Sequence, residues 1–202
     1  MWLLLLVAFL AWIVLGTWGL VRHISRPPAG ALGAALAHGL PTDPGEARCM
    51  WTDDMLHTDD GLNLPIWRID GAAPDGPTIV DLHDWGDSPV TQLDGIEDTA
   101  AVASGIILPT LRGHASNTGR CSLGPRETAD LRTLLATLSG DVVLRGTGLG
   151  GLVAQACCDE PGVIDVEVQD AWADQGDGLR RILARRGQVA FPFAWLARIC
   201  LP

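Results

Sequence analysis

The sequence predicts an α/β domain, a mostly parallel sheet with helices on both faces, preceded by one transmembrane helix. Three observations carry that expectation. From Thr78 onward, apolar strand runs alternate with helical stripes, the pattern of a parallel sheet with crossover helices. A glycine turn, Gly146-Thr147-Gly148-Leu149-Gly150, joins one of those strands to the helix after it. Trp2 to Val21 is an uncharged run of 20 residues, which at helical rise spans about 30 Å, the thickness of a bilayer core.

That run defines an anchor over residues 1–22. A cleavable signal peptide fits it less well, because no basic segment precedes it and the small-residue sites at Ala29-Gly30-Ala31 and Ala35-Leu36-Ala37 lie beyond it. Arg22 and Arg26 follow the helix, so the positive-inside rule makes a single-pass protein with a cytoplasmic body, by a margin of about one charge. Residues 23–49 are rich in Pro, Gly and Ala and read as a linker holding at most one short helix. Residues 50–202 form the body, and 48% of the 202-residue chain is hydrophobic, enough for one good core.

Within the body, residues 50–57 form a first strand, Asp59-Asp60-Gly61 a hairpin turn and Leu64 to Ile69 the returning strand, which Pro65 assigns to a sheet edge. Thr78 to Leu82 is the next strand. Ser88-Pro89 opens a helix running to about Ser104, and Gly105 ends it before the strand Ile106 to Leu108. Pro125 opens another helix, whose Leu131, Leu134, Leu135 and Leu138 make one apolar stripe. Asp141 to Leu144 feeds the glycine turn, and Leu149, Leu152, Val153 and Ala156 repeat the stripe in the helix behind it.

Charge and cysteines narrow the function classes. Residues 1–42 hold two arginines and no acid, 43–178 hold all 24 acids against seven arginines, and 179–202 hold five arginines and no acid. An acidic body repels phosphate backbones, which disfavours nucleic acid as a partner. The five cysteines show neither an even framework nor zinc-ligand spacing, and read as reduced, buried thiols. No cofactor is implied.

The motifs together resemble the α/β-hydrolase family, closest to its membrane-anchored peptidase-like or esterase-like members. GTGLG resembles the nucleophile elbow G-x-S-x-G, in which a serine sits at the apex of a tight strand-to-helix turn. LHDWGDS is similar to the LHGWGGS-type turn that supplies oxyanion-hole amides, TLRGHASNTG to the DLRGHGxS loop, and QDAWADQGDGLRRILARR to a DSPFADLRDVLRRRAR stretch. The likeness runs from about Thr58 to Trp195.

What that resemblance implies is a serine hydrolase with its chemistry removed. Acyl transfer needs a nucleophile, a base, an orienting acid and an oxyanion hole. Gly148, at the apex, has no side chain; its neighbours Thr147 and Leu149 do not occupy the exposed position. The oxyanion turn, His83-Asp84-Trp85, carries acids at Asp84 and Asp87 where the family has glycines, which opposes developing negative charge. His83, Arg112 and His114 match loop positions that shape the pocket. Asp170 matches a family position other than the triad acid. The strands expected to carry acid and base follow the post-elbow strand Val163 to Val168 and are not found before Pro202.

Several readings stay open. The first is a catalytically inactive, membrane-anchored binding or interaction module with a protein partner or self-association. A second is an active ester- or peptide-type hydrolase with unorthodox residues, and a third a truncated or decaying gene product. Asp84, Asp87 and Asp170 would all lie near the C-terminal edge of the sheet and could hold Mg²⁺ or Ca²⁺. At the C-terminus, Arg180, Arg181, Arg185 and Arg186 with Phe191, Phe193 and Trp195 either meet anionic lipid or belong to a helix packed over the site. Asp81, inside a strand, is an edge or hydrogen-bonded acid.

Overall fold

The computed structural model describes residues 2–28, 31–115, 117, 119–185 and 193–201. Six strands form one sheet: β1 (Trp51–His57), β2 (Asn63–Asp70), β3 (Thr78–Leu82), β4 (Gly105–Pro109), β5 (Val142–Thr147) and β6 (Val163–Gln169), in the order β1-β2-β4-β3-β5-β6. β4, β3, β5 and β6 run parallel, while β2 is antiparallel to both β1 and β4.

Helices cover both faces. Val80, Leu82, Ile107, Val142 and Leu144 point to one face, where they meet Leu131 and Leu134 of α4 (Pro125–Leu135), Leu149 and Val153 of α5 (Leu149–Gln155) and Leu179 and Ile182 of α6 (Gln175–Arg185). The alternate residues Ile79, Ile106, Leu108 and Val143 pack on the other face with Leu93 and with Ile96 of α3 (Ile96–Val102). The two sets follow from strand alternation, which sends successive side chains to opposite sides.

α1 (Trp2–Ser25) is long and apolar enough to cross a membrane, with mean hydropathy 2.4 over a window of which 11% is buried. Its first turns are exposed, yet its last residues enter the body: Ile24 is fully buried in the main core, and Ser25 is buried beside it. α2 (Ala31–His38) follows, packed through Ala31 and Ala35. α7 (Phe193–Cys200) lies against α1.

Two elements differ from the sequence expectation. β2 is an interior strand and β1 is the edge. Pro65 is tolerated there because its carbonyl faces β4, accepting from Thr110 N at 2.8 Å, and the β2–β4 pairing starts only at Ile66. A residue's N and C=O point to the same side of a strand, so the missing donor falls at the end of that ladder. The helix expected over Ser88 to Ser104 is instead a 3-10 turn, Pro89–Gln92, and the separate α3. Gly95 stands between them at φ +69, a left-handed conformation that breaks the helix. Ser88 makes no side-chain cap bond. All five cysteines are free thiols.

Candidate functional site

β5 delivers the chain to a sharp turn at the C-terminal edge of the sheet, and α5 starts at once behind it. Gly148 holds φ +55, ψ −112 at the apex, a conformation that side-chain-bearing residues rarely adopt. Gly150 lets α5 come down onto the sheet: a Cβ there would meet the Leu82 carbonyl oxygen at 2.1 Å. The elbow is thus intact as backbone.

The space above its apex is filled. A Cβ built on Gly148 would lie 1.9 Å from Oδ1 of Asp84, which comes from the loop after β3. That same oxygen accepts the Leu149 amide at 2.7 Å. The sequence motif places Asp84 near the oxyanion amides as a repelling charge. The geometry is tighter than that, because the carboxylate itself is the partner of the amide that follows the apex. Its second oxygen is 3.5 Å from Nη2 of Arg185 on α6, and the residue is buried. Asp87 stands nearby, its pKa raised first by burial and then by the Asp84 charge, with Arg185 acting against the rise.

His83 and His114 hold the surrounding loops. Leu111 N donates to His83 Nε2 at 3.1 Å, so the proton is on Nδ1, which donates to the Asp84 carbonyl at 2.8 Å. His114 is wired alike: Gly86 N donates to its Nε2 at 3.1 Å, and its Nδ1 donates to the Arg112 carbonyl at 3.1 Å. The two rings meet edge to face at 4.9 Å. Burial, helped by His114, pushes the His83 pKa down to about 3, and burial lowers that of His114. Both imidazoles are neutral with both nitrogens committed to backbone, which leaves neither a lone pair for a substrate proton.

Arg112 lies under this loop with its guanidinium forked onto Asp130 through Nε, at 2.6 Å, and Nη2. It also reaches Asp60, at 2.9 Å from Nη1. Glu127, fully buried, accepts from Ser122 N, Ser122 Oγ and Gly124 N at 2.6 to 2.8 Å and so closes the N-terminus of α4. Asp81 accepts from Gln92 Nε2 at 2.7 Å on the face opposite the elbow pocket, where burial raises its pKa. Thr147 is exposed at the end of β5, on the same face as Asp81 and Arg145.

The proposed metal ligands do not converge. Among the described residues no three His, Cys, Asp or Glu side chains form a group that could hold an ion. Asp170 is exposed, in a left-handed conformation at φ +48.

One wall of the site escapes sequence reasoning. Trp85 Nε1 donates to the Ile24 carbonyl at 3.0 Å, His23 packs edge to face on Trp85 at 5.5 Å, and Cys121 N donates to the Ser25 carbonyl at 3.0 Å. The end of α1 is therefore seated on the oxyanion-type turn itself. The available signal was Ile24-Ser25, an apolar and a small residue between two arginines. On the other side α6 packs through Leu179, Ile182 and Leu183 and sends Arg185 to Asp84, the arrangement expected of a helix over the mouth. Arg186, Phe191 and the side chains of Phe193 and Trp195 lie outside the described residues.

No protein-family model and no curated protein matches the sequence. Solved structures do. An esterase of Pyrococcus furiosus superposes with a TM-score of 0.65 at 19% identity, covering 86% of this chain and 67% of its own. A hydrolase from Pseudomonas aeruginosa gives 0.53 at 21%, covering 68% of this chain and 54% of its own. Epoxide hydrolases of the α/β-hydrolase superfamily from hot-environment metagenomes give 0.51 at 20%, covering 60% of this chain and 43% of their own.

Proposed function

We propose that this chain, which has the α/β-hydrolase fold, is a membrane-anchored member of that architecture without acyl-transfer activity, acting as a binding or interaction module. The supporting observation is the Asp84 carboxylate on the Leu149 amide, above an apex with no side chain. An oxyanion forming at that amide would have to displace a carboxylate or sit beside it. At about 4 Å and an effective dielectric of about 20, the repulsion is about 4 kcal/mol, roughly a thousandfold in rate. The imidazoles of His83 and His114 are committed to backbone, so neither offers a base.

A second reading has one observation in its favour: the Asp84 carboxylate stands where an apex side chain would be, and could itself attack an electrophile. On p-nitrophenyl acetate that attack would expel p-nitrophenolate and leave a mixed anhydride, and the water that hydrolyses it to acetate and the free carboxylate would need activation, for which neither histidine has a free nitrogen. The test is turnover of p-nitrophenyl acetate and labelling by a fluorophosphonate, for the natural chain, Gly148→Ser and Gly148→Ser with Asp84→Gly. All three are expected to be silent. Turnover by the natural chain that disappears in Asp84→Asn would establish the second reading instead.

Anchoring by α1 is supported by its exposed apolar turns and by Ile24 and Ser25 in the body. Cleavage at either small-residue site would remove both, along with the wall they make. The intact chain mass in a membrane fraction resistant to alkaline carbonate is the expected result; a mature protein beginning at Leu32 or His38 would refute it.

A further inference from the structure

Beside the end of α1, on the outer side of the wall it makes, lies a cavity of about 160 Å³ lined by Trp18, Val21, Arg22, Ser25, Arg26 and Arg120. It is separate from the elbow. Three arginines of a chain with net charge −10 line it, and among the described residues no carboxylate forms an ion pair with any of them. Arg22 belongs to the last turn of α1 and Arg26 follows its end directly; Arg120 comes from the loop between β4 and α4, nearly a hundred residues later in sequence. The bond from Cys121 N to the Ser25 carbonyl holds that loop in place.

Compensation of the helix dipole does not explain the cluster. Three of the last four carbonyls of α1 are already used, by Arg26 N on His23, Trp85 Nε1 on Ile24 and Cys121 N on Ser25. The positive charge is therefore available to a ligand. Ser25 adds an independent sign: the residue lines the cavity, and its buried hydroxyl has no hydrogen-bond partner among the described residues. Unpartnered buried hydroxyls are rare and ask for an acceptor or a water. The cavity has room for several waters, or for a phosphate group.

We infer that this cavity is a phosphate-binding site. Arg22, Arg26 and Arg120 supply charge and donors, Ser25 Oγ a further donor, and Trp18, with the Arg22 guanidinium 5.7 Å from its ring centre, an apolar shelf toward the helix. The cluster follows directly on the 20-residue uncharged run, so in a bilayer it stands at headgroup depth, where juxtamembrane arginines attract anionic lipid. An anionic phospholipid headgroup and a free phosphate ester share this chemistry. The inference is independent of whether the elbow is catalytic.

The test uses the full chain in a neutral detergent, titrated calorimetrically with inorganic phosphate, dihexanoyl phosphatidylglycerol and dihexanoyl phosphatidylcholine. Saturable binding of the phosphatidylglycerol, about tenfold or more tighter than the phosphatidylcholine, is expected. Inorganic phosphate binding as tightly as the lipid assigns the site to free phosphate; phosphate binding much more weakly assigns it to lipid. Arg120→Glu and Arg26→Glu should each weaken binding about tenfold or more with an unchanged thermal midpoint, and Arg120→Lys should restore most of it. Equal binding of the two lipids, no binding of any phosphate, or charge-reversed variants that bind normally would each overturn the inference.

Discussion

Gly148 and Asp84 should behave as a coupled pair. Alanine at 148 faces two separate costs. One is local: φ +55 burdens an L-residue by about 1–2 kcal/mol. The other is a collision, since the new methyl would sit 1.9 Å from Asp84 Oδ1. Relief requires the carboxylate to leave the Leu149 amide, forfeiting a charged hydrogen bond of about 1.5–3 kcal/mol. Gly148→Ala should therefore destabilise by about 2.5–5 kcal/mol, summing the two ranges. In an Asp84→Ala background the bond and the collision are already gone, so the same substitution should cost only the local term, about 1–2 kcal/mol. Guanidinium unfolding of the full chain in neutral detergent, followed by near-ultraviolet dichroism of the buried Trp85 and Trp172, measures the cycle. A coupling of about 2 kcal/mol is expected, and additivity within about 0.5 kcal/mol would refute the reasoning.

The remaining predictions concern the supports of the site. Arg112→Met should destabilise by about 3–5 kcal/mol because it leaves Asp130, with its side chain 7% exposed, buried and unpaired; adding Asp130→Leu should recover much of the loss. Ile24→Ala should cost about 2–5 kcal/mol for a core side chain, a result that a helix serving only as a tether would not give. Acidification should weaken the fold, because His83 has a folded pKa of about 3 against about 6.5 in the unfolded chain. Below about 6.5 the unfolded chain takes that proton first, so His83 alone removes about 1.4 kcal/mol per pH unit down to about 3. His114 acts in the same direction, while Asp81, Asp87 and Asp130, whose pKa values are raised, take protons earlier in the folded state and soften the slope. Unfolding midpoints between pH 7 and 5 in the natural chain and in His83→Gln, where the slope should flatten, check the sign.

The alternation of strand and helix and the elbow were legible because they are local. Alternation in β3, β4 and β5 and the glycines at 146, 148 and 150 write period and turn geometry directly into neighbouring residues. The break at Gly95 was legible in principle, yet the Ser88-Pro89 start and the Gly105 end framed the whole stretch as one helix. Pro65 misled because edge or interior depends on which strand arrives on the other side, a fact held 40 residues away. Asp84 is the deeper case. Its residue type announced a misplaced charge, but only the fold sets its Oδ1 on the Leu149 amide and its Oδ2 near Arg185. The seat of Ile24 on Trp85 is of the same kind, a contact between segments 61 residues apart.

That seat has a consequence for the order of assembly. α1 is synthesised before the strands it packs against: its partners Trp85 and Cys121 follow about 60 and about 95 residues later, several seconds or more at about 5–20 residues per second. Until they arrive, Ile24 and the carbonyls of Ile24 and Ser25 have no place to be buried. A helix that has entered a bilayer by then waits with its end at the surface, and the main core closes around it. The body would then be completed at the membrane rather than delivered to it, with the helix serving as the last piece of the interior to be enclosed.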